Sequence, residues 1–169
     1  FREEGRWEVG PLPARAAENL PGLLAALRQQ PSEGPALALC SYGDDFFLVL
    51  RPEGDHVRLL VSDATASGEW PIARDALDLA GETEPREDDE ESVVPAGDLD
   101  IFADLGMGSM ELAAVCSDLE LYPDEMLGQI ATRRSFLKLL GVGGSIVLLH
   151  LSGTQTLAAL PGVVDGLRA

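Results

Sequence analysis

The sequence predicts an α+β domain: an antiparallel β-sheet, laid out as a meander, with helices packed on one face. Three apolar runs of strand length, Ala36 to Ser41, Phe46 to Arg51 and His56 to Ser62, follow one another across short polar connections. Apolar residues at helical spacing come before and after these runs. With 169 residues, 46% of them apolar, the chain is long enough to bury a core of its own.

Arg6 to Leu12, cut by Pro11 and Pro13, reads as an edge strand or as the remnant of one whose first half lies before residue 1. Leu20, Leu23, Leu24 and Leu27 fall on one helical face between Ala14 and Gln30, with Asn19 as N-cap, Pro21 in the first turn and Pro31 as the stop. Gly43-Asp44-Asp45 connects the first two runs tightly, and FFLVLR is too aromatic and β-branched, and too short, for an independent helix. In Arg51-Pro-Glu-Gly-Asp55, Pro52 is expected to set φ of a turn in which Gly54 takes positive φ. After the third run, Asp63 can cap a short turn across DATA or point into a surface pocket. A helix is then predicted over Pro71 to Ala80.

Gly81 to Ser92 changes character. Glu87 to Glu91 are five acids in succession, which cannot be buried together, so a flexible acidic linker is expected at about 81–95. GDLDIFADLGM then carries Asp98, Asp100 and Asp104 among apolar residues, with Gly106 as a helix stop or turn. A helix is expected from Ser109, a turn over Asp118 to Pro123, and another helix from Asp124, whose Asp124 and Glu125 suit its positive end. Met126, Ile130, Leu137 and Leu140 are candidates for its buried face. The division this implies is a single domain over 1–138 and a separate apolar tail over 139–169, the last part of it loop and weak helix.

Lys and Arg number 12 against 29 Asp and Glu, a net charge of −17. A surface of that sign repels phosphate backbones, so no direct nucleic-acid binding is expected and a basic protein partner fits better. Cys40 and Cys116 belong to no CxxC or CxH pair and read as buried small residues. His56 and His150 have no neighbouring ligand or triad partner. No GxSxG, P-loop or dinucleotide fingerprint occurs, and the glycines of Gly141-Val-Gly-Gly144 lack the flanking strand and helix such a motif requires. No cofactor is therefore expected, and no catalytic residue. Asp63, Asp98, Asp100 and Asp104 offer hard-cation chemistry as an alternative, without the spacing of an EF-hand loop.

Thr132-Arg-Arg-Ser-Phe-Leu-Lys138 has the pattern of a twin-arginine export signal, followed by an apolar stretch from Leu139 to Leu151. Such signals act at an N-terminus, and the stretch is shorter than the ~20 residues a spanning helix needs. An amphipathic helix followed by a buried segment is preferred, with membrane attachment through 132–151 the lesser alternative. Arg2, Glu3, Glu4 and Arg6 stand where a secretory signal would be apolar, and the expected location is cytoplasmic.

DDFFLVLR, LLVSDATAS with the following EWPIA, GDLDIFADLGM, the Glu111-Leu112 pair and DLELYPDEMLGQIA together resemble the tRNA adenosine deaminase-associated protein family of actinobacteria. The likeness runs from about Leu37 to Phe136, with Ile130 to Arg133 and Phe136 resembling the family's closing helix. The segment after Lys138 departs from it. The resemblance implies an accessory or regulatory protein, non-catalytic and acting through protein contacts, with a tRNA adenosine deaminase as the candidate partner. The deaminase itself needs an H-x-E and a P-C-x-x-C, and this chain has neither. Candidate partner-binding residues are Ser62, Asp63, Thr65 and Trp70, then Asp98, Asp100 and Asp104, and finally Tyr122, Asp124 and Glu125. A divalent-metal-binding protein or metal-dependent enzyme is the alternative.

Overall fold

The computed structural model describes residues 8–11, 14–29, 36–83, 85, 93–132 and 146–150. The expected linker acids Glu87 to Glu91, Pro31, the Arg133 to Lys138 end of the export-like motif, the Gly141 to Gly144 cluster and the final stretch from Ser152 lie outside them.

Six strands among the described residues form one sheet in the order β1-β6-β2-β3-β4-β5. β1 (Glu8–Pro11) is the expected edge strand. β2 (Ala36–Tyr42), β3 (Phe46–Glu53) and β4 (His56–Val61) make the antiparallel meander, with Cys40 opposite Leu48 and Leu50 opposite Leu59. β5 (Ala96–Gly97) adds a short antiparallel pairing to β4, and β6 (Ile146–His150) lies parallel between β1 and β2. Four helices accompany the sheet: α1 (Leu20–Arg28), α2 (Pro71–Ala80), α3 (Ser109–Cys116) and α4 (Pro123–Thr132).

The α+β class and the meander are as expected, but the helices divide between the two faces of the sheet. Side chains alternate along a strand, and in β2 and β3 both alternations are apolar. Leu37, Leu39, Phe47, Val49 and Leu60 pack against α3, α4 and the turn at Ile101 and Phe102. Ala38, Cys40, Phe46, Leu48, Leu50 and Val61 pack on the other side against α1 and α2. Two apolar faces need two covers, and a sheet with helices on one face alone would leave one of these rows in water.

Local signals explain the helix ends. Asn19 caps α1 by accepting from the Gly22 N–H at 2.8 Å. Gly81, at φ 72°, closes α2, and Pro71 opens it. The β3–β4 connection differs from its expected form. Pro52 stays in the strand opposite Val57, and the chain reverses over Gly54-Asp55 alone, with Gly54 at φ 61°. A two-residue loop beginning with positive φ matches the twist of the flanking strands better than a turn centred on proline.

Candidate functional site

The meander brings its first turn and its last residue to the same end of the sheet, and the α3–α4 junction closes over that end. Between them lies a cleft of about 200 Å³. Its sheet side carries Asp44 and Asp45 from the β2–β3 turn, and Ser62 and Asp63 from the chain leaving β4. Its helical side carries Asp118, Leu119 and Tyr122, backed by Cys116 and Met126. Val93, where the chain re-enters after the acidic stretch, completes the wall.

Asp63, Ser62 and Asp45 are each held by hydrogen bonds. Asp63 caps the single turn over Ala64–Gly68, its Oδ1 accepting from the Thr65 N–H at 3.0 Å and the Thr65 hydroxyl at 2.8 Å. The same oxygen accepts from the Val94 N–H at 3.2 Å, which ties down the re-entering chain. The sequence left Asp63 as a cap or a pocket residue, and it is both. Ser62 is buried, and its hydroxyl accepts from the Phe47 N–H at 2.8 Å, which prolongs the β3–β4 ladder. Asp45 accepts from the Trp70 indole N–H at 2.9 Å, and that ring meets Tyr42 and Phe46 edge-on.

Across the cleft, Tyr122 directly precedes α4, and Glu125 reaches back to accept from its N–H at 3.0 Å, half of a capping box. Asp118 accepts from the Glu120 N–H at 3.1 Å within the turn. The turn leaves Leu119 79% exposed and Tyr122 44% exposed, side by side with the cleft acids. Asp124, next in sequence to wall residue Pro123, is buried, and its Oδ2 has no hydrogen-bond partner among the described residues.

The Asp98, Asp100 and Asp104 group lies elsewhere, toward the opposite end of the β3–β4 hairpin, where Arg51 faces Arg58. Arg51, nearly buried, grips both Asp104 oxygens at 2.6 Å and the Ile101 carbonyl at 3.0 Å. Its Nε stands 3.2 Å from Glu53 without an aligned hydrogen bond. Arg58 binds Asp98 through Nε and the Asp100 carbonyl through Nη2. These guanidinium bonds hold the Asp98 and Asp104 carboxyls below the ordinary value of 3.8. The motif clamps the segment after the acidic stretch onto the sheet. No group of three or more His, Cys, Asp or Glu side chains among the described residues stands where it could hold a metal ion.

Of the predicted site residues, Ser62, Asp63 and Tyr122 therefore meet in one cleft. Trp70 joins it through Asp45, while Thr65, Asp124 and Glu125 support its walls. Sequence reasoning did not select Asp44, Asp45, Asp118 or Leu119. The acids were visible as clusters but looked like turn residues, which they also are, and only the fold shows that three separate turns converge. The legible signal was Leu119, a large apolar residue placed between two acids in a predicted turn.

Both free cysteines are buried. Burial pushes the Cys40 and Cys116 thiols up to about 12, so neither is a nucleophile at neutral pH.

The model of the Rv3753c-like tRNA adenosine deaminase-associated protein family matches residues 1–137. The chain belongs to this family. The family match thus begins well before Leu37, where the sequence resemblance was first legible, and ends before β6. The chain is also 36% identical over 136 residues to Protein Rv3753c of Mycobacterium tuberculosis (strain ATCC 25618 / H37Rv), an alignment covering 80% of this chain and 79% of the relative. No solved structure matches. Among the described residues, no helix is long and apolar enough to cross a membrane.

Proposed function

We propose that the chain is a non-catalytic accessory protein of a tRNA adenosine deaminase, acting in the cytoplasm and binding its partner through the cleft between the β2–β3 turn and the α3–α4 junction. One observation carries this reading: exposed apolar side chains, Leu119 and Tyr122, share a cavity with Asp44, Asp45, Asp63 and Asp118, for which no ion pair forms among the described residues. Arg51 and Arg58 are committed to Asp104 and Asp98, so the chain neutralises its clamp and leaves its cleft negative.

An apolar centre with a charged rim is the anatomy of a protein–protein contact. The cavity is also smaller than the roughly 300–1,000 Å³ that holds a drug-sized ligand, which favours side chains of a partner over a free substrate. The association in the family's name supplies the candidate partner. Tagged full-length chain, captured at low salt from cells that also express the deaminase, is expected to retain the deaminase. Repeated capture without it would sink the proposal.

A further inference from the structure

We infer that the cleft seats an arginine side chain, presented by a partner segment in which the arginine is flanked by apolar residues. This rests on the protein-docking reading above and specifies the chemistry of what docks. The occupant must be cationic, because the rim offers four carboxylates and no ion pair compensates them among the described residues. It must also bring apolar surface, because Leu119 and Tyr122 stand exposed at the same opening while Cys116 and Met126 form an apolar back wall.

Arginine meets both demands better than lysine. Its guanidinium is planar and weakly hydrated, can span two carboxylates at once, and can lie on an aromatic ring such as Tyr122. The walls are braced for such a guest. Asp63 is fixed by three hydrogen bonds, Asp118 by its turn and the Tyr122 backbone by Glu125, so little ordering remains to be done on binding.

Trp70 gives the test a built-in reporter, since its indole N–H is bonded to the cleft residue Asp45. The probe is a capped heptapeptide alternating leucine and arginine, titrated into the full chain at low salt. Its control is the same peptide with citrulline, the neutral isostere, in place of arginine. The arginine peptide is expected to change Trp70 emission saturably, and the signal is expected to vanish in Trp70→Phe. The citrulline peptide, and the Asp63→Asn/Asp118→Asn variant, are each expected to bind about tenfold more weakly or less. Asparagine keeps the capping oxygen at both positions, so this variant retains the turns.

Absence of binding by the arginine peptide, equal binding by the citrulline peptide, or wild-type affinity in the variant overturns the proposal. So does competition by spermidine as effective as that of the peptide, which would make the cleft a small-cation site. A deaminase that still co-purifies while the peptide fails leaves the accessory reading standing and removes only the arginine pocket.

Discussion

At the scale of single residues, Arg51 shows how a charge can be structural. It is 6% exposed and joins β3 to the segment carrying Ile101 and Asp104 through three hydrogen bonds. Arg51→Ala is expected to lower stability by about 2–3 kcal/mol in urea denaturation, and Arg51→Lys to recover only part, because an ammonium cannot grip both carboxylate oxygens as a fork. The pH dependence has a definite sign. The Asp98 and Asp104 carboxyls titrate lower in the folded chain than in the unfolded one, so their contribution is present above the ordinary value of 3.8 and is lost as pH falls below it. The difference in melting temperature between wild type and Asp104→Asn is therefore expected to be constant from pH 7 to about pH 5 and to shrink below about pH 4. The cysteines make a complementary prediction. Iodoacetamide at pH 8 is expected to leave Cys40 and Cys116 unmodified in the folded chain, by mass spectrometry, and to label both in urea.

At the scale of elements, the helix termini were the most legible part of the sequence. Asn19, Pro71 and Gly106 stand where local chemistry places caps and stops, and α2 runs over the residues its spacing predicts. Asn19→Ala is expected to cost about 1 kcal/mol, read by thermal unfolding. What the sequence could not show was set by contacts distant along the chain. The two buried faces of β2 and β3 were written in an unbroken apolar run, but such a run reads equally as one strand of unknown surroundings until its covers are known. Gly97 is a sharper case. It sits at φ 97°, and a Cβ there would fall 2.5 Å from the Leu59 carbonyl oxygen. Nothing nearby in sequence announces this, because the close approach is made across the β4–β5 pairing. The cleft was half legible for the same reason: its residues come from turns that only the meander and the α3–α4 junction bring together.

At the scale of the whole molecule, the net charge of −17 is a long-range property, and under the proposed docking role the cleft would give it a local use. A negative surface speeds the approach of a basic partner and loses its effect as salt rises, whereas apolar contacts made by the exposed Leu119 and Tyr122 with the proposed partner would persist. The family match ends at residue 137, yet β6 lies between β1 and β2, so the segment beyond the match contributes to the sheet on the side away from β5. The most direct measurement is calorimetric titration of purified tRNA adenosine deaminase with the full chain, wild type and Asp63→Asn/Asp118→Asn, at low and at moderate salt. Saturable binding is predicted for the wild type, weakening with salt and by about tenfold in the variant. Absence of binding at low salt would contradict the accessory role, and equal binding by the variant would contradict the cleft as its site.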